Sequence, residues 1–409
     1  MNPLALAIVA AIVLSGILGI YLLARQAATV AANRERVPEG FAGAISGEEH
    51  KRAAAYTLAR TRLAIVQTAF DTVTAVVWLT FLLGPLYALA ARWIAPGMSR
   101  SVAVVVLFAL IGRLLHLPFS IFSTFSLEAR FGFNRATPAM FLMDRLKGVA
   151  LALLLGVPLL YGLFWLLGVL PNLWWLIGWA AFMALMIAMT VIYPTFIDPL
   201  FNTFTPMPQG QLKAGIEALL AKCGFESKGL YVMDASKRST HGNAYFTGFG
   251  RAKRIVFFDT LLQNHTPEEI LSILAHELGH YKLGHITQRI AETAVLTFFG
   301  FAALHWAFAG GLAGAFSLAA DPGLVLIIIL TAFGTVMHLL SPLISFLSRR
   351  AEYQADSFAK AMTGAKPMIS ALTKLSRDNL ATLTPDELYA LFYYSHPPVP
   401  LRVARLKAV

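Results

Sequence analysis

Charged residues and cysteine are both scarce in this 409-residue chain, and each scarcity excludes a class of protein. Asp, Glu, Lys and Arg make up 13% of the residues, against 57% hydrophobic residues, whereas a soluble chain carries roughly 25% charged residues. The polar surface is too small to cover a soluble fold in water, and the apolar content is too high for intrinsic disorder. The single cysteine, Cys223, excludes a disulfide framework and a cysteine-based zinc site. The composition predicts an integral membrane protein.

Long apolar segments predict a mainly α-helical, polytopic fold with about seven transmembrane helices. A spanning helix needs roughly 20 mostly apolar residues. Leu4–Leu23 lacks the basic n-region of a cleavable signal peptide, so we expect it to be retained as the first span. The other candidate spans are Leu63–Ala91, Val102–Phe125, Val149–Leu170, Leu173–Tyr193, Ala294–Phe308 with its flanks, and Leu324–Leu347.

Basic residues alternate between loops, and this alternation predicts the orientation in the membrane. The loops after the first and third spans are rich in Arg and Lys, whereas Pro171–Asn172 and Ala309–Gly323 contain none. Lys and Arg concentrate in cytoplasmic loops, where they meet anionic lipid. We therefore interpret the net charge of +11 as a determinant of orientation in the membrane rather than as a sign of nucleic-acid binding. The N-terminus should lie outside, and the C-terminus in the cytosol.

Two polar segments predict a cytosolic α+β domain of the zincin type, tethered to the membrane helices. Residues 196–290 combine a helical pattern with short β-like runs, and residues 349–409 have a helical pattern that ends in a Pro-rich tail. Residues 1–195 should form a five-helix membrane region, and residues 291–348 two further membrane helices. The helical pattern and the β-like runs are Gln211–Cys223, Gly229–Met233, Asn243–Thr247 and Arg254–Phe258.

The strongest chemical motif is His276-Glu277-Leu278-Gly279-His280. Residues four apart share a helix face, so His276 and His280 can bind one Zn²⁺. Glu277 lies beside that face, where it can act as a general base toward water. Upstream, Thr266-Pro267-Glu268-Glu269 is a capping box that predicts the start of the helix. On a continuous helix His285 would lie about 140° around from His280, so we reject it as a ligand.

A third metal ligand is required, because a catalytic zinc keeps three protein ligands and one open position. The lack of cysteine favours an acid. Glu352 and Asp356 lie four apart, which predicts Glu352 as the ligand and Asp356 as the hydrogen-bond partner of a ligand histidine's far nitrogen. Such a pair on its own is more often a solvated helix face. The need for one more ligand changes that interpretation and predicts one Zn²⁺ per chain.

Five separated motifs follow one another in order along most of the chain. Together they resemble the type I CAAX prenyl proteases, seven-span zinc metallopeptidases of the gluzincin class. The motifs are Glu128–Asn134 with Thr137-Pro138, Ile197–Asn202 with Phe204-Thr205-Pro206, Asn243–Gly248, Glu352–Asp356, and His396-Pro397-Pro398 followed by Arg402.

The resemblance implies further site residues and a substrate class. His396 and Arg402 would donate hydrogen bonds to the tetrahedral oxyanion and to the peptide or its C-terminal carboxylate. Without the resemblance they are a loop histidine and a terminal arginine that meets lipid headgroups. Asn243 and Ala244 would bind an extended substrate by strand addition, although an ordinary strand end has the same pattern. The implied reaction is cleavage near the C-terminus of prenylated proteins or peptides.

Polar residues within or near the predicted spans allow two interpretations. They can line the large chamber that the resemblance implies, or they can form structural pairs between helices. These residues are Asp71, Arg113, His116, His305 and His338.

Three functional alternatives stay open at this point. The first is a membrane-protein quality-control protease that needs no prenylation, and the second is a non-proteolytic zinc transporter. The third is an intramembrane site-2-type protease, which would place the motif inside a spanning helix and follow it with an Asp-Gly ligand pair. The Ala- and Leu-rich composition favours a bacterial inner membrane over the endoplasmic reticulum. We expect a monomer that acts on peptides or proteins in lipid and binds no nucleic acid.

Overall fold

The computed structural model describes residues 1–227, 229–247 and 254–408 as helices around one small sheet. The strands are β1 Phe204–Pro206, β2 Leu230–Met233, β3 Ala244–Thr247 and β4 Arg254–Phe258. The helices are α1 Pro3–Asn33, α2 Gly47–Val77, α3 Leu83–Ala91, α4 Met98–Phe122, α5 Pro138–Val169, α6 Trp174–Ile192, α7 Gln211–Lys222, α8 Asp259–Asn264, α9 Pro267–Lys282, α10 His285–Ala309, α11 Leu312–Ala315, α12 Pro322–Thr363, α13 Ala365–Asp378, α14 Glu387–Tyr393 and α15 Val399–Lys407.

Seven helical segments within the described residues are long and apolar enough to cross a membrane. Each coincides with one of the predicted spans to within one residue or contains it, so the seven-span prediction is confirmed. The segments are Pro3–Asn33, Gly47–Ala91, Met98–Glu128, Pro138–Val169, Trp174–Leu200, His285–Ala309 and Pro322–Thr363.

The polar residues of the spans make contacts between helices and also reach open space. His116 Nε2 lies 3.3 Å from Asp71 Oδ1, and both side chains are about half exposed. His338 forms hydrogen bonds with side chains of α1 and α14. His305 packs against tryptophan rings, and Arg113 lines a cavity of about 400 Å³ between α4 and α5. Pairing between helices therefore accounts for Asp71 with His116 and for His338.

The small sheet has the strand order β1-β2-β4-β3. Strands β2 and β4 are parallel, whereas the β1–β2 and β3–β4 pairs are antiparallel. The three predicted β-like runs correspond to β2, β3 and β4, while the three-residue β1 was not predicted. Within the sheet β3 is an edge strand.

The two polar segments fold together around a shared hydrophobic core. One hydrophobic core contains Leu274 and Leu278 of α9 together with Ala359, Met368 and Leu372 of the C-terminal segment. Helix α12 is continuous over 42 residues, so the division drawn between residues 348 and 349 falls inside a single helix. The helix that spans the membrane last therefore also carries the acidic residues of the site.

Candidate active site

Helix α9 presents the two histidines on one face. It begins where the capping box predicts, because the side chains and backbones of Thr266 and Glu269 bond reciprocally. The Nε2 atoms of His276 and His280 lie 3.3 Å apart. The local sequence thus aims two ring nitrogens at one point.

Gly279 lets α12 approach this face closely. A Cβ atom at Gly279 would lie 3.1 Å from the Cα of Ala355 and 3.1 Å from the Cβ of Phe358, a separation too short for ordinary packing. The close approach brings Glu352 to the histidines. Its Oε2 lies 3.3 Å from His276 Nε2, and its Oε1 lies 3.3 Å from His280 Nε2.

The arrangement fits a bound cation. His276, His280 and Glu352 each offer a ligand atom, and these atoms lie within 4.8 Å of one another. Glu352 Oε2 is buried and has no hydrogen-bond partner among the described residues. Burying a carboxylate oxygen without a partner is costly. Two nitrogens and one carboxylate oxygen also form a donor set typical of catalytic zinc.

A buried carboxylate and a guanidinium support this group from behind. Asp356 Oδ1 lies 2.9 Å from His276 Nδ1. Arg402 donates two hydrogen bonds to Asp356, of 2.8 Å from Nε and 2.6 Å from Nη2. Burial lowers the pKa of His276, but the nearby carboxylates of Asp356 and Glu352 outweigh it and raise that pKa to about 9. The same carboxylates would stabilise a cation at His276 Nε2.

Glu277 and His396 are both more exposed than the buried His276 and Glu352. Glu277 is only partly exposed, and burial raises the pKa of its carboxyl group. A raised pKa suits a group that must both accept and release a proton. His396 has a side chain that is 63% exposed, and its Nε2 lies 3.3 Å from Glu352 Oε1. Arg402 also approaches Glu352, at 3.8 Å, but its side chain is buried.

Comparison with known proteins shows which family the chain resembles. A family model described as CAAX prenyl protease N-terminal, five membrane helices, matches residues 26–203, and the model of Peptidase family M48 matches residues 206–409. The chain is 35% identical to the CAAX prenyl protease 1 homolog of Oryza sativa subsp. japonica, over 91% of this chain and 90% of that protein. The chain belongs to the CAAX prenyl protease family.

Other relatives extend the similarity over the whole fold. The CAAX prenyl protease 1 of Saccharomyces cerevisiae is 36% identical, over 76% of this chain and 73% of that protein. The crystal structure of S. mikatae Ste24p superposes with a TM-score of 0.92, at 29% identity, over 99% of both chains. The protein is thus an integral multi-pass membrane metalloendopeptidase of the CAAX protease type, and peptides or proteins are its substrates.

Family membership also decides between the sequence alternatives. A peptidase family leaves the transporter without support. In a site-2-type protease the His-Glu-x-x-His helix would span the membrane, but α9 has 16 residues and is not one of the seven candidate spans. The motif of this CAAX-type protease therefore lies in the domain outside the spans.

The edge strand β3 of this CAAX-type protease has backbone groups that face away from the sheet. Phe258 N donates to Asn243 O, so the next residue, Ala244, occupies a pair without hydrogen bonds to β4. The N–H and C=O groups of Ala244 therefore point away from β4. The N–H group donates to the Oδ1 atom of exposed Asn243 at 2.9 Å. Gly248, the last residue of the sequence motif, lies outside the described residues.

His285 occupies a position that single-helix geometry did not predict. Gly284 adopts a left-handed conformation with φ of +75°, so α9 ends at Lys282 and α10 begins at His285 in a new direction. His285 is not among the three possible ligands, but its Nδ1 lies 3.0 Å from His280 Nδ1. The signal in the sequence was Gly284, since glycine often ends a helix in this conformation.

Proposed function

We propose that this protein is a zinc endopeptidase whose one metal ion per chain is held by His276, His280 and Glu352. The observation that carries the proposal is the buried three-donor group, with its unpartnered carboxylate oxygen. When bound, Zn²⁺ would supply Lewis acidity to the scissile carbonyl. Asp356 would orient His276 through Nδ1, and Arg402 would hold Asp356 in place.

Glu277 would move the proton. Its position beside His276 and its raised pKa support a role in taking a proton from the attacking water and delivering it to the leaving amine. His396, exposed next to Glu352, would donate a hydrogen bond to the oxyanion that develops on the substrate. Both side chains are at least partly exposed, as contact with a substrate requires.

An extended peptide would bind as an additional strand along β3. The outward-facing backbone groups of Ala244 support this mode, because main-chain hydrogen bonds bind a peptide regardless of most side chains. Asn243 Oδ1 currently accepts from Ala244 N. An arriving peptide carbonyl could replace it and leave the Asn243 side chain free to contact the peptide.

We propose prenylated C-terminal peptides as the substrates, since relatives over most of the chain are named CAAX prenyl proteases. The alternative is a protease that acts on membrane peptides without a prenyl group. The chain should act as a monomer, because the three donors come from one chain. The Ala- and Leu-rich composition supports a bacterial inner membrane as its location.

One experiment tests these proposals together. The purified protein would be assayed for metal content and for cleavage of one CAAX peptide, with and without a prenyl group on its cysteine. We expect about one zinc per chain and a higher kcat/KM for the prenylated peptide. Equal rates would support the prenyl-independent alternative. A zinc-loaded protein that cleaves neither peptide would contradict the proposed activity on CAAX peptides.

A further inference from the structure

We propose that His285 and Gln354 are positioning residues that fix which nitrogen of His280 faces the metal. The inference deepens the proposed function and rests on its assignment of His280 as a ligand. Neither His285 nor Gln354 offers an atom to the three-donor group. They act instead through a chain of hydrogen bonds that begins at the far side of the His280 ring.

This hydrogen-bond chain consists of His280, His285 and Gln354, and both contacts in it are short. His280 Nδ1 lies 3.0 Å from His285 Nδ1, and His285 Nε2 lies 2.9 Å from Gln354 Oε1. His285 is 4% exposed, so water has little access to its ring. Gln354 lies on α12, two residues beyond Glu352. Helix α12 therefore supplies the proposed metal ligand Glu352 and also Gln354, which ends the hydrogen-bond chain that orients the ligand His280.

Only one distribution of hydrogens over the two rings is possible when His280 binds a metal through Nε2. A ligand nitrogen must present a lone pair, so His280 Nε2 is unprotonated and Nδ1 carries the hydrogen. His280 Nδ1 then donates to His285 Nδ1, which must be an acceptor. Neutral His285 consequently carries its hydrogen at Nε2 and donates it to the amide oxygen of Gln354. Each of the two close contacts holds a single hydrogen.

The reverse arrangement is incompatible with a metal ligand. If His285 Nδ1 carried the hydrogen, His280 Nδ1 would accept it. Neutral His280 would then be protonated at Nε2, which faces Glu352 Oε1 at 3.3 Å. With the amide oriented as in this structure, the oxygen of Gln354 accepts a hydrogen from His285, and the reverse state would require the amide to turn over and present its NH2 group. The observed orientation of Gln354 thus matches the ligand-competent tautomer of His280, which reaches it through His285.

The two proposed histidine ligands therefore receive different support. His276 Nδ1 faces the carboxylate of Asp356, which in turn accepts hydrogen bonds from the guanidinium of Arg402. His280 Nδ1 faces a neutral imidazole that ends on an amide. Loss of such an outer partner typically costs roughly 10–100-fold in metal affinity. We expect a defect of that size at His280, although His285 itself binds no metal.

The test compares two His285 variants of the full-length protein in detergent. His285→Leu fills the space of the ring but cannot accept a hydrogen bond, whereas His285→Asn places an oxygen acceptor near the position of Nδ1. We expect His285→Leu to weaken Zn²⁺ binding by roughly 10–100-fold in chelator competition, and to alter the visible spectrum of the Co²⁺-substituted protein. His285→Asn should retain affinity and spectrum close to the unmodified protein. Both variants should still bind one metal per chain at saturation.

Gln354→Leu provides a second variant that is safe for folding, because Gln354 is exposed. It should weaken Zn²⁺ binding in the same direction but by less, since water can replace an exposed amide. Equal weakening in the Leu and Asn variants of His285 would overturn the proposal in favour of simple packing. Unchanged affinity in both His285→Leu and Gln354→Leu would also overturn it. An error in the metal assignment itself would give a different result. The unmodified protein would then lack zinc, or His276→Ala would bind as much zinc as the unmodified protein.

Discussion

Glu277 is the residue at which metal binding and turnover should separate. Glu277→Gln keeps the shape of the side chain and leaves His276, His280 and Glu352 in place, so zinc content should match that of the unmodified protein. The variant lacks the proton acceptor needed at formation and collapse of the tetrahedral intermediate. General acid–base catalysis contributes about 10²–10⁴-fold, or roughly 2.7–5.4 kcal/mol. We expect kcat to fall at least about 100-fold in a peptide assay. An unchanged rate would remove the proposed mechanism.

Arg402 allows a test between contact with substrate and support of the metal site. The sequence resemblance implies contact with a substrate carboxylate, but two guanidinium nitrogens already donate to buried Asp356. Removing one partner of a buried ion pair leaves an uncompensated charge. We therefore expect Arg402→Ala to weaken Zn²⁺ binding in chelator competition and to lower kcat equally for peptides with free and amidated C-termini.

Arg405→Ala is the matched control for Arg402. Arg405 lies on the same helix but is exposed, with its guanidinium 4.6 Å from the ring centre of Tyr353. Its loss should leave zinc affinity unchanged. A raised KM confined to the free-carboxylate peptide in Arg402→Ala, together with normal zinc affinity, would instead assign Arg402 to the substrate.

At the scale of elements, Gly279 tests whether the contact between α9 and α12 builds the site. Replacing glycine by alanine within a helix normally stabilises it by about 1 kcal/mol. Here the added Cβ would meet the Cα of Ala355 at 3.1 Å, so α12 must move away and carry Glu352 with it. Gly279→Ala should therefore weaken zinc affinity, with no gain in thermal stability.

Gly334→Ala is the control for Gly279, because it lies within α12 and a Cβ atom there meets nothing within 4 Å. Zinc affinity measured by chelator competition should be normal in this variant. Thermal unfolding of both variants in detergent would report the helix contribution separately. Tight zinc binding in Gly279→Ala would show that α12 can shift without disturbing the metal ligands.

Elements whose signals are local could be predicted from the sequence. The capping box predicted the start of α9, and the lengths of the apolar segments predicted the seven spans. Strand β1 escaped prediction because its three residues are too few for a pattern, and pairing with β2 stabilises it. The break at Gly284 also escaped, because helical periodicity was extended across a glycine that ends α9.

The candidate site was predictable where chemistry limits the choice. A metal motif with two histidines needs a third ligand, and Glu352 was selected because an acid was required and the Glu352–Asp356 spacing fitted a helix face. Packing across the fold is not encoded in local spacing. The engagement of Arg402 by Asp356 and the contact of His285 with His280 both depend on it. Neither distance could be obtained from separation along the chain.

At the scale of the whole molecule, contacts group the loops on two sides of the helix bundle. Phe41 and Ile45, in the loop between α1 and α2, pack against Leu383 and Val403 of the C-terminal segment. At the other end Asn2 N donates to Ala315 O. The first loop therefore shares a side with the active-site domain. The N-terminus shares a side with the loop between α10 and α12.

Cysteine labelling would assign these two sides to the cytosol and the exterior. Buried Cys223 would be replaced by serine, and single cysteines introduced at exposed Ala42 and Ala319. Because basic residues concentrate in the loop that contains Ala42, we expect an impermeant maleimide to label Ala42→Cys only from the cytosolic side. Ala319→Cys should react only from the opposite side. Labelling of both from one side would contradict an odd number of spans between them. The reversed pattern would place the active site outside the cytosol, so its substrates would have to reach it from the exterior.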